Sequence, residues 1–540
     1  MDTLFEGEEK PKSLKRHDRI TFKNYEQQVD YLLPHSTEDY LPKNHIARLI
    51  SLLVDRMDLT HIKSKYRGGG ASAYNPSMML KVWILGFVKK VYTSRKLERA
   101  LHENLAFIWI SGNQKPDFKT LSNFRILLVD DIKTCFKHFV EMGIQLGIIS
   151  GKDVFVDHTK YQANANPYKM IWKKSLDKRL QKIDEELEVL FQYIQKLNDE
   201  EDSENVNSKL DNLDEKLFTK ENIDKMISQI NTSLKEKTVS KEEAKESKEK
   251  LKRTKELIDR KEKVLEKQEN TGGKSGYSKT DPDAFAMQVK RSEEIKPCYN
   301  EGIATENNFV VSYDVSQNAA DTVSFKNIIE QAKENLNKKP ENTTADAGYG
   351  SKENYDYLES EGIKNFVKFS GSFKEKKFNG MFKLHDFNYD KEKNSFTCLN
   401  NVELKFKETI TTKNKNRYDE TKSIYSAPKE ACASCPIKPW CTNFESKNLH
   451  VNWELERHKN IARENLNSEE GIKKRKQRAY DVETVFADRK WNQGSRRYIL
   501  RSLPKVTLEA GLHNISHNIR KMYLYIMEKI DPFQKPYIII

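Results

Sequence analysis

Leucines and isoleucines at heptad spacing mark residues 176–272 as a helical insertion, and this run constrains the fold more than any other feature. Its first seam consists of Leu176, Leu180, Ile183, Leu187, Leu190, Ile194 and Leu197. Charged residues and glutamines fill nearly all positions between them, which is typical of a helix with one apolar seam. Looser seams follow at 210–234 and 251–265. Because segments with strand character lie on both sides, an α/β core here must be assembled from separated segments.

We interpret this insertion as a helical hairpin that packs on itself with a coiled-coil-like seam. An arm for oligomerisation is the alternative, because the same seam would also serve between two chains. The insertion ends in the flexible sequence Thr271-Gly272-Gly273-Lys274-Ser275-Gly276.

Two aspartates stand near the ends of the short strands that flank the insertion. Alternating apolar residues predict a strand at 151–163, with Asp157 near the end of its apolar part. Between 297 and 370, strands alternate with helices, and Asp346 follows a short strand and precedes a glycine-flanked turn. Sites in open α/β sheets gather at strand ends, and two carboxylates there repel unless a cation such as Mg²⁺ neutralises them. The alternative is that both are ordinary capping or turn residues.

Residues 471–505 form a basic segment in which eleven Lys and Arg residues outnumber three acids. On a helix, Val482, Val485 and Phe486 form the buried face, and Arg478 lies about 140° from Glu483 in projection. A single acid among so many cations suits a metal ligand beside a phosphate backbone. An ordinary surface salt bridge is the alternative. We interpret Trp491 as a half-buried core residue, with stacking on an unpaired base as the alternative.

The N-terminal region of the chain is predicted to be helical. Apolar residues recur every three or four positions at 46–57, at 78–88 after a predicted cap at Asn75-Pro76, and in a third stretch from Thr120 to Met142. Small helical domains with basic loops often bind DNA, and a plain scaffold is the alternative. We favour DNA contact in this region.

Composition narrows the class of protein. The chain of 540 residues has a formal net charge of +13, which favours a polyanionic partner, and nucleic acid is the first candidate. No apolar run approaches the roughly 20 residues of a membrane span. The acidic N-terminus lacks the apolar segment of a signal peptide, so we expect neither a membrane nor a secreted protein. Six cysteines in this length do not make a disulfide scaffold, and a reducing cytoplasm is expected.

Four of the cysteines fall within a polar, strand-like, Lys-rich stretch at 380–452. Cys432 and Cys435 have metal-knuckle spacing, and Cys398 and Cys441 would complete a structural Zn²⁺ site with four thiolate ligands. Free or buried thiols are the alternative. We expect Cys135 and Cys298 to be core residues.

Several motifs, in order along the chain, together resemble one family, the DDE transposases of bacterial insertion sequences. The first-Asp motif is Val156-Asp157-His158-Thr159-Lys160-Tyr161, and the second is Thr344-Ala345-Asp346-Ala347-Gly348-Tyr349. Val482-Glu483-Thr484-Val485-Phe486 with Lys490 resembles the Glu-containing helix, and Thr280-Asp281-Pro282-Asp283-Ala284 lies between. Arg95-Lys96 and Pro116-Asp117-Phe118-Lys119-Thr120 resemble the N-terminal domain. The match brackets about 40–525. A Tyr-Arg-Glu-Lys-type branch is expected, although the Arg is offset to Arg478 and the Tyr is missing.

The resemblance implies an α/β RNase H-like catalytic core with an N-terminal all-α domain. It also implies that Asp157, Asp346 and Glu483 hold two Mg²⁺ ions, for which Mn²⁺ substitutes, and cut and join DNA. Basic residues would bind double-stranded DNA at the element ends and the target. They are Arg478, Lys490, Arg496, Arg497, Arg95, Lys96 and Lys119. A homodimer in the DNA complex, no membrane partner and a nucleoid-associated location in the cytoplasm are expected.

The predicted organisation divides the chain into seven segments. They are an N-terminal tail (1–39), a helical DNA-binding domain (40–148), the first core segment (150–175), the helical hairpin insertion (176–272), the second core segment (273–380), a small β-rich Cys-containing insertion (381–453) and the third core segment with the catalytic helix (454–530). Two other functions stay open beside an active transposase. One is a catalytically decayed relative that only binds DNA, and the other is a stand-alone RNase H-like nuclease.

Overall fold

The computed structural model describes residues 36–66, 72–199, 241–273, 275–289, 294–369, 381–412 and 419–530. Within these ranges the chain is a mixed α/β protein with an N-terminal helical region and two sheets. The second predicted seam, at 210–234, lies outside the described residues. In the described ranges, no helix is long and apolar enough to cross a bilayer.

The N-terminal region is built from short helices around a shared apolar core. Their bounds are α1 (Thr37–Tyr40), α2 (Ile46–Asp55), α3 (Thr60–Lys63), α4 (Pro76–Val88), α5 (Ser94–Glu103), α6 (Leu105–Ile110), α7 (Phe118–Leu127) and α8 (Ile132–Gln145). Asn75 caps α4 by accepting a hydrogen bond from the Ser77 N–H at 2.9 Å, as the sequence predicted. From Met78 to Val88 every residue except Lys81 is buried, so α4 forms the centre of this region.

The single helical stretch predicted from Thr120 to Met142 is wrong, because the structure divides it into α7 and α8. A turn at 128–131 separates them and allows both Leu128 and Ile132 to be buried. Asp131 in this turn forms an ion pair with Lys65, with 2.5 Å between Oδ2 and Nζ. The apolar period alone does not reveal such a change of direction.

The larger sheet has eight strands in the order β2-β3-β4-β5-β1-β7-β8, with β6 also paired to β5. Their bounds are β1 (Asp153–Gln162), β2 (Met170–Trp172), β3 (Gly276–Ser278), β4 (Phe285–Gln288), β5 (Ile295–Glu306), β6 (Phe309–Ser316), β7 (Asn342–Ala345) and β8 (Lys364–Val367). β1 runs antiparallel to β5 and parallel to β7, which runs parallel to β8. The sheet therefore takes its strands from both sides of the insertion.

The insertion contributes two long helices, α9 (Lys173–Asp199) and α10 (Lys241–Glu269). They pack antiparallel, because Asp184 pairs with Lys261 at 2.7 Å and Glu186 pairs with Arg253 at 2.9 Å. Leu187, Leu257 and Ile258 are buried between them, with Ile183 and Leu190 packed against this cluster. Of the third predicted seam, Leu257, Ile258 and Val264 are buried, whereas Leu265 is 40% exposed and was wrongly assigned to it.

The helices that pack against the larger sheet come from the second half of the chain. They are α11 (Phe325–Leu336), α12 (Lys352–Ser360), α14 (Trp453–Asn467), α15 (Glu469–Ala487) and α16 (Leu503–Ile530). α15 packs on β1, β5 and β7, and α16 packs on β6 as well as on α4 and α8. One continuous apolar core therefore joins the N-terminal helices to the sheet. A π-helical turn, Asp488–Asn492, follows α15. Cys135 and Cys298 are fully buried, as predicted.

The smaller sheet has the order β13-β12-β11-β10-β9 and carries the Cys-rich stretch. Its strands are β9 (Asn388–Asp390), β10 (Ser395–Thr397), β11 (Glu403–Thr412), β12 (Glu420–Ser426) and β13 (Asn448–Val451), and α13 (Lys429–Ala433) lies between the last two. Its core is small and separate from the main one. It consists of Phe387, Phe396, Leu404, Tyr425, Ala427, Leu449 and Val451.

Candidate active site

Asp157 and Asp346 lie side by side in the larger sheet, at the point where β7 ends beside the middle of β1. β1 and β7 are parallel and pair Val156 with Ala345, so the residues that follow in each strand are neighbours. Asp157 is nearly buried, with 10% of its side chain exposed, whereas Asp346 is 38% exposed. Asp346 Oδ1 also accepts a hydrogen bond from the Gly348 N–H at 2.8 Å, which orients the carboxylate at the start of a short turn. Asp346 follows the end of β7 as predicted, but the expectation that Asp157 lies near the end of a short strand is wrong, because β1 continues to Gln162.

Helix α15 brings Glu483 and Arg478 to the same place. Ser468 caps this helix, because its hydroxyl oxygen accepts a hydrogen bond from the Gly471 N–H at 3.0 Å. The apolar face of α15 is the predicted one, since Val482, Val485 and Phe486 are all buried. Glu483 lies beside this face and remains half exposed.

Arg478 lies among the three carboxylates. Its Nη1 is 2.9 Å from Glu483 Oε1, and its Nη2 is 3.3 Å from Asp157 Oδ1 and 4.0 Å from Asp346 Oδ2. The side chain of Arg478 is only 9% exposed. The helical projection separated Arg478 from Glu483, yet they form an ion pair because the long arginine side chain reaches along the helix surface.

These residues line a cleft of about 260 Å³. The remaining lining residues are His158, Thr159 and Phe486. Across the ranges that the structure describes, no group of three or more His, Cys, Asp or Glu side chains is arranged to hold a metal ion. The donors nevertheless have suitable chemistry, because carboxylate oxygens are hard ligands for Mg²⁺ and all three reach the same guanidinium.

Tyr349 lies beside the cleft in acidic surroundings. The Tyr349 hydroxyl forms a hydrogen bond with His158 Nδ1 at 2.5 Å. Burial raises the pKa of Tyr349 well above its usual value, and the negative charges of Asp157, Asp321 and Asp346 raise it further. Asp321 accepts a hydrogen bond from Asn300 Nδ2 at 2.7 Å. Tyr349 therefore stays protonated beside the carboxylates.

The π-helical turn places Lys490 on the opposite side of the cleft. Lys490 Nζ donates a hydrogen bond to Thr159 Oγ1 on β1. The preceding residue, Arg489, is buried and donates to both oxygens of the fully buried Glu301 on β5 at 2.6 Å. This ion pair fixes the turn to the sheet, because β5 pairs Glu301 directly with Thr159.

The other predicted DNA-binding residues are exposed but lie outside the cleft lining. Arg496 stacks its guanidinium 3.8 Å from the centre of the Trp491 ring, and Trp491 is 65% exposed. The interpretation of Trp491 as a half-buried core residue is therefore wrong. Arg497 donates to Ala163 O at 3.0 Å and to Asn164 Oδ1 at 2.9 Å, so it holds the chain after β1.

The basic residues of the N-terminal region lie on helices α5 and α7. Arg95, Lys96 and Lys119 are all exposed there. The Arg95 guanidinium lies 5.0 Å from the centre of the Phe118 ring, so the two helices present a joint basic and aromatic surface.

Four cysteines of the Cys-rich stretch line one small cavity of about 20 Å³. They are Cys398, Cys432, Cys435 and Cys441. None of them forms a disulfide. The Val402 N–H donates to Cys398 Sγ at 3.4 Å, and Asn400 Nδ2 donates to Cys435 Sγ at 3.5 Å. Burial raises the pKa of Cys441, and the other three thiols add to this rise.

Sequence reasoning missed three residues close to the carboxylates, namely Thr159, Asp321 and Lys368. Thr159 lies two residues after Asp157 in the first motif, so strand periodicity would have placed it on the same face. Asp321 and Lys368 come from other segments and have no local signal. The pKa of Lys368 is lowered by burial and then by Arg478, which shows that it shares their surroundings.

Comparison with known proteins gives two family matches. A transposase domain (DUF772) matches residues 35–127, and a transposase DDE domain matches residues 397–523. The first covers the exposed cations on α5 and α7. The second covers the four cysteines and all of α15, including Glu483. No curated protein and no solved structure matches the chain.

Proposed function

The two matched domains make this chain a DDE transposase of an insertion element, and we propose that it binds the terminal inverted repeats of its element and catalyses metal-dependent cleavage and transfer of DNA strands. One observation carries the proposal. Asp157, Asp346 and Glu483 come from three separate segments of the chain, yet all three reach the guanidinium of Arg478 in one cleft. Carboxylates that merely cap strands have no reason to converge in this way.

We propose that the larger sheet is an RNase H-like core. Five of its strands, in the order β6-β5-β1-β7-β8, support this. β6 and β1 each run antiparallel to β5, and β7 and β8 run parallel to β1. Catalytic residues would then occupy the middle of β1, the carboxyl end of β7 and the facing helix α15, and the three carboxylates lie at these places.

The three carboxylates would hold two Mg²⁺ ions, with Mn²⁺ able to substitute. When bound, such a pair stabilises the attacking and leaving oxygens of an in-line displacement at phosphorus. Asp157 and Asp346 supply rigid ligands because the sheet fixes them. Glu483 is half exposed on a helix and is able to adjust. Arg478 balances the charges of the carboxylates, and its ion pairs with them would have to break when metal ions bind.

Basic residues on both sides of the cleft would bind the DNA backbone. Lys490 is held at Thr159 within reach of a phosphate bound to the carboxylates. Arg496 and Arg497 continue this surface, while Arg95, Lys96 and Lys119 would bind a more distant region of the element end. Phosphate contacts of this kind make binding strongly dependent on salt. We further propose a homodimer in the DNA complex and a location at the nucleoid.

The decisive experiment is cleavage and joining on DNA that carries the terminal repeats flanking the gene, with Mg²⁺ or with EDTA. Wild type is compared with Asp157→Asn, Asp346→Asn and Glu483→Gln. Glu469→Gln, an exposed acid on the same helix, is the matched control. We expect metal-dependent cutting and joining that each of the three substitutions abolishes while DNA binding persists, and that the control retains.

The other outcomes separate the competing functions. Binding without cleavage in the wild type would favour a decayed copy that only binds DNA. Cleavage without joining, and without preference for the repeats, would favour a stand-alone nuclease. Cleavage that survives the substitutions would mean that other acids carry the reaction.

We also propose that the four cysteines hold a structural Zn²⁺ ion. Their shared cavity and the two N–H···S hydrogen bonds support this, because such bonds stabilise thiolates. The sulfur atoms would need to draw together for tetrahedral coordination. Metal analysis should find about one zinc per chain, lost in Cys432→Ser and retained in Cys135→Ser. A zinc-free protein whose smaller sheet resists chelators would contradict the proposal.

A further inference from the structure

A third charged side chain stands in line with Asp157 and Asp346 in the larger sheet. The last paired row across β1, β7 and β8 consists of Val156, Ala345 and Val367. The residues that follow in the three parallel strands are Asp157, Asp346 and Lys368. The Lys368 N–H donates to Ala345 O at 3.2 Å, so β8 stays paired with β7 as far as this row.

The register places Lys368 close to the carboxylates. Adjacent strands lie about 4.8 Å apart, so its backbone is about 5 Å from that of Asp346 and about 10 Å from that of Asp157. Burial lowers the pKa of Lys368, and the charges of Arg478 and Arg475 lower it further, whereas Asp346 and Glu483 oppose this shift. The ammonium group therefore belongs to the same electrostatic cluster as the carboxylates.

Lys368 and Lys490 flank the carboxylates from opposite sides. Lys490 contacts Thr159 on β1, on the side that faces the π-helical turn. Lys368 lies beyond Asp346, at the end of β8. A DNA strand that crosses the carboxylates would thus meet one lysine on each side, and a lysine is a common point-charge ligand of phosphate.

We propose that Lys368 binds a non-bridging phosphate oxygen of the DNA strand that is cut, on the β8 side of the carboxylates and opposite Lys490. This inference rests on the proposed function and adds a substrate-binding residue to it. Lys368 stabilises the negative charge of the backbone and sets the register in which the strand crosses the cleft. The competing role is a purely structural one, in which Lys368 only balances the charge of Asp346.

Binding of element-end DNA provides the first test. Wild type, Lys368→Met and Lys368→Arg are titrated with the end DNA at several salt concentrations, with Ca²⁺ in place of Mg²⁺. Lys364→Met is the matched control, because Lys364 lies on the same strand, is exposed and pairs with Glu470. We expect Lys368→Met to weaken binding about fivefold or more. The slope of binding against salt should fall by about one, while Lys368→Arg and Lys364→Met stay close to wild type.

Neutral phosphates then locate the contact. A methylphosphonate is placed at the cut site or at each neighbouring position, and the losses are compared in a double-mutant cycle. At one position the methylphosphonate should weaken DNA binding by the wild type but cause no further loss of binding in Lys368→Met. Additive losses at every position, or no effect of Lys368→Met, would overturn the inference. A stability change without any coupling would indicate the structural role.

These binding measurements do not depend on catalysis, so the two proposals can fail separately. A wild type that does not cut DNA, with coupling between Lys368 and one phosphate, would contradict the proposed activity and leave this contact intact. Cutting and joining of DNA without such coupling would support the proposed activity and contradict the Lys368 contact.

Discussion

Arg478 should compete with divalent metal ions for the three carboxylates, so its removal should strengthen metal binding. Its guanidinium lies 2.9 Å from Glu483, 3.3 Å from Asp157 and 4.0 Å from Asp346. In Arg478→Gln the carboxylates lose the positive charge that bridges them and repel one another. A cation that enters such a site no longer has to displace an existing ion pair.

The distances set the size of the effect. A pair of unit charges 4 Å apart interacts by about 1 kcal/mol in water and by about 4 kcal/mol at an effective dielectric constant of 20. Glu483 is half exposed, so its pair with Arg478 is close to the weak limit. Asp157 is nearly buried and contributes more. A net gain of about 1–3 kcal/mol corresponds to metal affinity about 5- to 150-fold tighter.

Calorimetric titration of the DNA-free protein with Mn²⁺ measures this directly. Lys476→Gln removes the same charge from an exposed position two residues earlier on α15 and is the control. We expect tighter binding in Arg478→Gln, little change in the control, and loss of binding when Asp157→Asn is added. Unchanged or weaker binding in Arg478→Gln would refute the competition. Arg478 would then act by holding the carboxylates in place.

Three further predictions concern stability. Glu301→Gln should lower the free energy of unfolding, measured by urea denaturation, by about 3–5 kcal/mol, because it leaves the Arg489 charge buried without its partner. Adding Arg489→Met should restore some of the lost stability. Gly471→Ala should cost about 1–3 kcal/mol, since its Cβ would lie 2.0 Å from a carbonyl oxygen of α14, and a thermal melt at wild-type stability would contradict this. Burial, followed by two neighbouring cations, lowers the pKa of His45 from 6.5 to about 4, so stability present above pH 6.5 should fall as the pH drops towards 4. The loss should be about 1–2 kcal/mol after solvent screening, and His45→Asn, which keeps the helix cap, should flatten this region of the stability profile.

Local sequence patterns correctly predicted features that depend on a single strand or helix. Alternation at 151–163 predicted β1, and helical periodicity predicted the buried face of α15. Asp346 follows the end of its own strand, whereas Asp157 stands in the middle of β1, which continues to Gln162. The resemblance to the family, and not a strand end, singled out Asp157, and its contact with Asp346 depends on the parallel pairing of β1 with β7.

The sequence pattern over residues 471–505 does not reveal where the helix that carries Glu483 ends. A regular helix would carry Lys490 onward from Glu483 by seven residues, but a π-helical turn begins at Asp488 and redirects it towards Thr159. The cause is distant in sequence, because the buried pair of Arg489 with Glu301 fixes this turn to β5. The sequence of residues 471–505 alone cannot indicate that Arg489 pairs with Glu301.

Lys368 is another residue whose role could not be predicted from its local sequence. Nothing around residue 368 distinguishes this lysine from the many others in a chain with 94 Lys and Arg residues. It gains significance only from the pairing of β8 with β7 and of β7 with β1, two contacts between segments that the insertion and several helices separate. Because the side-chain period of a strand is two, a shift of either pairing by one residue would turn Lys368 to the other face. The row of Asp157, Asp346 and Lys368 is therefore a property of the register, and substitutions that weaken β8 pairing should impair DNA binding even where they leave the lysine in place.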